Sequence, residues 1–291
     1  MKTTLALTTW TEHPALINEQ RPVTLREYAQ YLPAVEVDTF FYALPQLKTV
    51  QQWINEVSPD FQFIVKAHQS MTKHPRAVTP DGISLPEMFD RFKQVLRPLL
   101  ATNQLKTVLF QFPPQFDATV KNIEYLMKVR QWMGSLPIAI ELRNRSWYRS
   151  AVVKSLVGYC QDLKLTLVAA DEPNQIEASV PFYLATTNPN LVLIRLHGRN
   201  TQGWNHPGQE WRKKRTLYRY SNEQLQNLSQ RILALQPAPR EVCVIFNNNS
   251  GRDAAPNAQT LQKIMGCTLM GLWPGIPNSS IFFKQCPING R

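Results

Sequence analysis

Ionisable side chains recur two residues apart near the ends of several short apolar runs in this 291-residue chain. Four such pairs are Glu36 with Asp38, Lys66 with His68, Glu141 with Arg143, and Arg195 with His197. Side chains of a β-strand alternate between its two faces, so the two members of each pair share one face. Carboxylates and imidazoles grouped in this way are suited to acid–base chemistry, and guanidinium groups are suited to binding a phosphate or a carboxylate.

These pairs belong to a regular alternation of predicted strands and helices. Apolar, β-branched runs predict strands at residues 4–10, 34–38, 62–68, 106–112, 138–143, 166–171, 191–197 and 241–247. Segments of helical period separate them at residues 25–32, 49–57, 86–101, 119–133, 151–163, 221–235 and 257–265. The sixth connection, residues 172–190, contains three prolines and lacks this period.

Eight strand units joined by right-handed crossovers predict an α/β protein with one domain over residues 1–291, a single (β/α)8 TIM-type barrel of parallel strands and surrounding helices. The alternative is an open doubly wound sheet, but no Gly- or Ser-rich linker or shift of composition marks a domain boundary. Residues 267–291 form a tail that matches no predicted element.

In a closed barrel the apolar face of each strand packs against helices, so the polar pairs point inward at the carboxyl ends of the strands, where barrel enzymes act. The same alternation adds Gln111 and Asp171, and either Asn247 or Asn248 at the eighth strand. A Glu–Arg pair inside a barrel is in some proteins a buried ion pair with no chemistry. Four polar pairs at one end favour a functional site instead, because burying ions is generally unfavourable.

We predict roles for these side chains from their types. The candidate catalytic residues, which would exchange protons, are Glu141, His197, Glu36 and Asp171. The candidate residues for binding an anionic substrate are Lys66, His68, Arg143, Arg195, Arg199, Gln111, Asp38, Asn247, Asn248 and Trp204. No motif implies a cofactor. Carboxylates and histidines also hold divalent metals, but the neighbouring Arg and Lys side chains would repel a cation, so a metal is the minority alternative.

Two long predicted loops, residues 69–83 and 198–220, rise over the same end of the barrel. The second interleaves aromatic side chains with basic ones, including the basic run 212–215. Lys and Arg number 32 against 21 Asp and Glu, so the formal net charge is +11. Cations along a phosphate backbone and aromatic faces stacked on bases are typical of single-stranded nucleic acid binding. A solvated loop held by tryptophan packing is an equally good interpretation of this loop alone.

Several motifs follow one another in order along the chain. They are VEVDTFFY at residues 35–42, FIVK at 63–66, LFQFPPQF at 109–116, ELRNRSW at 141–147, RLHGRN at 195–200, YRYSNEQL at 218–225 and FNNNSG at 246–251. Together they resemble the YecE-like family (domain of unknown function 72), over nearly the whole chain. The resemblance implies a barrel of the triosephosphate-isomerase type and no established reaction. Its matching positions add Trp147 and Tyr220 to the candidate binding residues. The chain departs from the family at Ala6, Leu7 and Thr8, where glycines are usual.

The composition argues against several classes of protein. A hydrophobic fraction of 43% with 18% charged residues is not that of a disordered chain. No stretch is long and apolar enough to span a membrane, and the N-terminus lacks a signal-peptide cleavage site. The four cysteines form no CxxC pair, so we expect free thiols in a cytoplasmic protein without a membrane partner.

These observations predict an enzyme that acts on an anionic, phosphate-bearing substrate by acid–base chemistry, as a hydrolase or an isomerase. A phosphodiester or nucleic-acid-related hydrolase is the most concrete version. The first alternative is a non-catalytic nucleic-acid-binding protein that uses the 198–220 loop. The second alternative is a small-molecule binding protein.

Overall fold

The computed structural model describes residues 1–174, 176–205, 211–266, 269–270 and 282–283. Nine parallel strand segments form its central sheet. They are β1 (Lys2–Thr8), β2 (Ala34–Val37), β3 (Gln62–Lys66), β4 (Leu105–Phe112), β5 (Ile138–Leu142), β6 (Leu165–Leu167), β7 (Ala169–Asp171), β8 (Leu191–Leu196) and β9 (Glu241–Phe246). Two further short strands, Leu269–Met270 and Phe282–Phe283, pair with each other in antiparallel orientation.

The strands follow the order β6-β5-β4-β3-β2-β1-β9-β8-β7, and every neighbouring pair is parallel. β6 and β7 are the two halves of the predicted sixth strand, which is interrupted at Val168. The first half pairs with β5 and the second half pairs with β8. The hydroxyl of Thr166 also donates to the carbonyl of Leu191, at the start of β8. The sheet is therefore a nearly closed barrel, and the prediction of a TIM-type barrel is confirmed.

Helices surround the barrel in the predicted alternation. They are α1 (Leu25–Tyr28), α2 (Thr39–Tyr42), α3 (Leu47–Glu56), α4 (Leu85–Ala101), α5 (Val120–Met133), α6 (Ser150–Asp162), α7 (Thr201–Asn205), α8 (Trp211–Arg215), α9 (Asn222–Leu233) and α10 (Ala254–Ile264). Single 3-10 turns lie at Pro14–Leu16, Gln69–Thr72, Pro80–Gly82 and Arg145–Tyr148. Thr24 with Glu27 and Ser221 with Gln224 form complete capping boxes, which satisfy backbone amides that have no partner within the helix. None of the described helices is both long and apolar enough to cross a membrane.

The barrel wall separates two apolar layers. The outer layer lies between strands and helices, and the inner layer fills the barrel. The inner layer consists of Ala6, Ala34, Ile64, Leu109, Ala139, Val168, Leu191, Leu193, Cys243 and Ile245. In seven strands a polar residue follows two positions after an inner-layer residue, toward the carboxyl end: Thr8, Glu36, Lys66, Gln111, Glu141, Arg195 and Asn247. These polar side chains therefore lie directly above the apolar inner layer, toward the carboxyl ends of the strands.

Candidate functional site

Arg195 is the centre of a buried cluster of polar side chains at the carboxyl ends of the strands. Its guanidinium contacts both carboxylate oxygens of Glu36, with Nη2–Oε1 and Nε–Oε2 distances of 2.5 and 2.8 Å. Its Nη1 donates to Glu141 Oε2 at 2.5 Å and to Gln111 Oε1 at 3.1 Å. Strands β2, β4, β5 and β8 thus each contribute one side chain to the same set of contacts. The inward convergence expected from the alternation is present for these residues.

Further polar contacts extend from Glu141 toward the mouth. Its Oε1 accepts from Arg143 Nη1 at 2.9 Å and lies 3.1 Å from His197 Nε2. The other imidazole nitrogen, Nδ1, lies 2.8 Å from the side-chain amide nitrogen of Asn247. Asn248 instead donates to the carbonyl of Tyr218 and to Asn257. Of the two asparagines left open by the sequence, Asn247 is therefore the one that contacts the cluster.

Glu172 belongs to this cluster although the sequence reasoning missed it. Its carboxylate lies 2.6 Å from Arg143 Nε and accepts from the backbone amide of Val180 at 3.0 Å. Val168 points into the barrel and Ala169 packs in the outer layer, so counting in twos from Val168 brings residue 172 inward. That count requires knowing where the sixth strand is interrupted, which its apolar pattern does not show.

The side chain of Asp171 does not join the cluster as predicted. Within the described part of the chain, its carboxylate bonds to Arg199 and Tyr220 and not to Glu141, Arg195 or His197, and only its backbone carbonyl accepts from the amide of His197. Its carboxylate accepts from Arg199, with Nε–Oδ2 and Nη2–Oδ1 distances of 2.9 and 2.8 Å. It also accepts from the hydroxyl of Tyr220 at 2.7 Å, and that hydroxyl accepts from the backbone amide of Gly198 at 2.9 Å. The buried Asp171 and Tyr220 thus hold the two ends of the seventh loop against the barrel.

Two other predicted binding residues have structural partners outside the cluster. Trp147 is buried in the outer layer, where its indole donates to the carbonyl of Phe116 at 2.7 Å and stacks on the Phe116 ring. The sequence could not separate it from a rim residue, because the 3-10 turn after β5 directs it back into the shell. His68 caps the 3-10 turn Gln69–Thr72, where its imidazole accepts from the amide of Ser70. Neither side chain contacts Arg195 or Glu141.

Lys66 and Asp38 lie at the opening of the barrel. Their Nζ and Oδ1 atoms are 3.7 Å apart, and the ammonium group of Lys66 stands 4.6 Å from the centre of the Phe41 ring. Trp204 of α7 contacts two guanidinium groups, with Arg143 at 5.4 Å and Arg215 at 3.4 Å from the centre of its ring. The Asp38 side chain is 28% exposed and that of Lys66 is 12% exposed, whereas those of Glu36, Glu141 and Arg195 are at most 1% exposed. A ligand would therefore reach the cluster past β2 and β3.

The carboxylates of the cluster differ in their affinity for protons. Burial raises the pKa of Glu172 to about 7, although Arg143 opposes the shift. Burial likewise raises the pKa of Glu36 to about 7, against the opposing charge of Arg195. Burial would also raise the pKa of Glu141, but Arg195, the hydrogen bond to His197 and Arg143 together hold that pKa well below its usual range. Carboxyls with opposite shifts thus lie side by side.

His197 stays neutral in this setting. Burial, supported by the charges of Arg143 and Arg195, lowers the pKa of its imidazole to about 3, and Glu141 opposes this only in part. The groups of the cluster that can carry charge are therefore three carboxyls and two guanidinium groups, namely Glu36, Glu141, Glu172, Arg143 and Arg195. The carboxyls outnumber the cations by one.

Three of these side chains have the composition of a metal site. Ligand atoms of Glu141, Glu172 and His197 all lie within 4.8 Å of one another. The guanidinium of Arg143 bridges the two carboxylates, at 2.9 and 2.6 Å, and so supplies the positive charge at this point. In the described part of the chain, the charges of the Glu141 and Glu172 carboxylates are therefore better matched by the guanidinium of Arg143 than by a divalent metal.

The chain is similar to known proteins over nearly its whole length. Residues 4–278 match the family described as protein of unknown function DUF72. The chain is 39% identical over 274 residues to the UPF0759 protein YunF of Bacillus subtilis (strain 168), covering 93% of this chain and 97% of that protein.

Solved structures agree with this match. A crystal structure of a DUF72 family protein from Enterococcus faecalis is 41% identical, with a TM-score of 0.89, and the match covers 95% of this chain and 100% of that one. A DUF72 family protein from Thermotoga maritima is 26% identical, with a TM-score of 0.75, over 91% of this chain and 100% of that one. With its barrel, its ordered motifs and these relatives, the chain belongs to the DUF72 family.

Proposed function

We propose that this protein is an enzyme that performs acid–base chemistry on a phosphate-bearing substrate at the mouth of the barrel. Hydrolysis and isomerisation are the reaction classes that the side chains suit, and phosphodiester cleavage is the most concrete form of the first. The observation that carries the proposal is the pair of neighbouring carboxyls Glu141 and Glu172, which Arg143 bridges and whose pKa values are shifted in opposite directions.

Such a pair can divide the work of proton transfer. A group that both gives and takes a proton works best when its pKa lies near the operating pH, and separated pKa values distinguish acid from base. Glu172, with its pKa raised to about 7, would donate the proton, and Glu141 would stay ionised. Glu36 is a second proton carrier with a similar shift. The excess of one carboxyl over the guanidinium groups supports a cluster that retains one proton near neutral pH.

The phosphate group would bind outside this cluster, because Arg143 and Arg195 are already paired with carboxylates. Exposed cations at the rim remain for that task. Arg145 and Arg149 line an open cleft of about 530 Å³ beside the end of β5. Arg199, at the end of β8, is partly exposed although it pairs with Asp171. This division keeps the anion at the surface and the proton-transferring groups in the interior.

The proposal is tested by assaying the protein against phosphate mono- and diesters, including p-nitrophenyl phosphate and bis(p-nitrophenyl) phosphate. We expect Glu172→Gln and Glu141→Gln each to lower the turnover number at least about a hundredfold, the usual contribution of a general acid or base.

Glu241→Gln is the matched control. Glu241 is also a carboxylate in an ion pair, half-buried and 2.7 Å from Lys106, but it lies at the amino-terminal start of β9, at the opposite end of the barrel. This variant should keep its activity even if it is less stable. Equal activity losses in all three variants, or full activity in Glu172→Gln, would contradict the proposed roles. Binding without turnover of any ester would favour a small-molecule binding protein.

A nucleic-acid-binding role is the second candidate, and the exposed Lys213 and Lys214 of α8 favour it. The segment after β8 holds α8 in place, because the Asn200 side chain donates to the carbonyl of Lys214 at 2.8 Å. The ring of Trp204 does not strengthen this candidate, because the guanidinium of Arg215 already lies over it, 3.4 Å from its centre. The candidate therefore depends on charge rather than on stacking.

A further inference from the structure

At the opening of the barrel, several polar groups have no hydrogen-bond partner among the residues that the structure describes. The hydroxyl of Thr8 is buried, with the residue 3% exposed, and no described residue offers it a hydrogen bond. The same holds for Asp38 Oδ1. Within the described part of the chain, Lys66 also makes no hydrogen bond, since its contacts are the Asp38 carboxylate at 3.7 Å and the face of Phe41.

Three adjacent strands bring these groups together. Thr8 ends β1 and is paired in register with Glu36 of β2. Asp38 follows Glu36 by two residues, and Lys66 ends the neighbouring β3. Both Asp38 and Lys66 act on the charge of Glu36. These three groups therefore adjoin the cluster on the side where it opens. We refer to Thr8, Asp38 and Lys66 as the hydroxyl subsite.

The chemistry of these three groups selects the ligand. Asp38 Oδ1 needs a donor, Lys66 Nζ needs an acceptor, and the Thr8 hydroxyl can serve as either. A phosphate offers acceptors but would be repelled by the Asp38 carboxylate, and an ammonium group offers donors but would be repelled by Lys66. A hydroxyl group both donates and accepts. Two adjacent hydroxyls would satisfy Asp38 and Lys66 together.

The aromatic side chains beside the subsite fit the same ligand. Phe41 packs edge-to-face with Tyr42, with ring centres 5.1 Å apart, and Tyr42 is 61% exposed. An exposed aromatic side chain next to paired polar groups can cover the apolar face of a sugar ring while the polar groups bind its hydroxyls.

We propose that the hydroxyl subsite binds adjacent hydroxyl groups of a sugar, so that the substrate is a sugar phosphate. This inference rests on the proposed function for the phosphate, and it adds the part of the molecule that enters the barrel. The sugar would lie over Glu36 and place its hydroxyl-bearing carbons next to the carboxyls that transfer protons. Its phosphate would remain at the basic rim.

The probes that test this inference are ribose 5-phosphate and 2-deoxyribose 5-phosphate, which differ in one of two adjacent hydroxyls. Binding of each sugar phosphate to the full chain is measured by isothermal titration calorimetry. We expect the wild-type protein to bind ribose 5-phosphate about tenfold more tightly or better, because a site built to bond a hydroxyl rejects the analogue that lacks it. In Asp38→Ala and Lys66→Met the ratio of the two dissociation constants should fall to near one.

Asp253→Ala is the matched control, since Asp253 is a carboxylate paired with an arginine, the exposed Arg219, away from the subsite. It should keep the wild-type ratio, and circular dichroism checks that all variants are folded. Equal binding of the two probes by the wild-type protein, no binding of either, or an unchanged ratio in folded Asp38→Ala and Lys66→Met would overturn the inference.

The test is independent of turnover, because Glu172→Gln should bind with the wild-type ratio even when it is inactive. If the wild-type protein binds both probes equally while its ester turnover still depends on Glu172, the sugar inference fails and the proposed function stands.

Discussion

Glu172 has no exposed surface, and this burial makes its carboxyl hold a proton up to a pKa of about 7. Glu141 is equally buried, yet it has the two arginines and His197 as partners, which stabilise its ionised form. Burial alone disfavours charge, and the number of cationic and hydrogen-bonding partners decides which carboxyl stays ionised. Proton affinity in this cluster is thus a property of each side chain's partners.

The pH dependence of stability should reveal the protonated Glu172. Between its ordinary pKa of 4.5 and about 7, the folded protein keeps a proton that the unfolded chain releases. The stabilisation is complete below pH 4.5 and is lost as the pH rises through 7, with a total on the order of 3 kcal/mol. In Glu172→Gln the free energy of unfolding should therefore fall less steeply over this range. Urea unfolding at several pH values measures the difference.

Glu241→Gln provides a comparison, because Glu241 should change the free energy of unfolding with pH in the opposite direction. Lys106 and Thr4 outweigh burial and lower the pKa of Glu241, so its contribution is present at higher pH and is lost as the pH falls through the lowered value. Stability curves for wild type and Glu172→Gln that run parallel from pH 5 to 7 would show that Glu172 is already ionised in the folded protein.

At the level of elements, the interruption at Val168 shapes both the barrel and the site. β6 continues the sheet from β5, and β7 continues it from β8, so that one chain segment joins the two ends of the sheet. The amide of Val168 donates to Ile140 in β5 at the point of change. The interruption leaves Glu172 inward and Asp171 outward, where it binds Arg199 and Tyr220. One irregularity thus places the Glu172 carboxylate in the cluster and the Asp171 carboxylate at the base of the seventh loop.

The start of α9 offers a test of local stability. Ser221 accepts from the amide of Gln224, and the Gln224 side chain accepts from the amide of Ser221. Replacing Ser221 by Ala removes one half of this capping box and should lower the free energy of unfolding by about 1 kcal/mol. Chemical denaturation measures this change. Ser155→Ala, in the exposed middle of α6, is the control and should be neutral or slightly stabilising. Equal effects of the two substitutions would rule out the capping contribution.

Across the whole molecule, the excess of positive charge lies outside the barrel interior. The cluster in the interior has three carboxyls and two guanidinium groups, so the basic side chains behind the formal net charge of +11 lie outside the cluster. Such an arrangement attracts an anion to the rim without placing unpaired cations in the interior. The positive rim serves either candidate function, because sugar phosphates and nucleic acids both carry phosphate.

The salt dependence of oligonucleotide binding distinguishes binding at α8 from attraction by the net charge of the whole protein. If nucleic acid binds there, Lys213→Ala with Lys214→Ala should weaken binding of a single-stranded oligonucleotide. The slope of log affinity against log salt should fall by about one for each phosphate that the variant no longer neutralises. Lys48→Ala with Lys154→Ala changes the net charge equally on α3 and α6 and should leave most of the affinity. Fluorescence anisotropy at several salt concentrations gives both slopes. Identical slopes in the two double variants would exclude α8 as the binding element.

Much of this architecture follows from patterns within single strands and helices. Alternating apolar strands and periodic helices predict the barrel, and the spacing of two predicts the inward direction of Glu36, Glu141 and Arg195. The capping boxes at Thr24 and Ser221 are likewise local, and both are formed. The catalytic and binding roles assigned to these side chains stay predictions until the variants are assayed.

The sequence by itself determined the eight strand units, their parallel arrangement and the inward side of β2, β4, β5 and β8, because these depend on the alternation of neighbouring residues. Tertiary structure alone decided that Glu172 enters the cluster and Asp171 leaves it, that Trp147 is buried in the shell, and that Arg143 and Arg195 are paired with carboxylates. Those outcomes depend on where a strand is interrupted and how far apart atoms of different strands lie. Contacts across 159 residues, such as that between Arg195 and Glu36, are set by register and barrel closure, which no local pattern encodes.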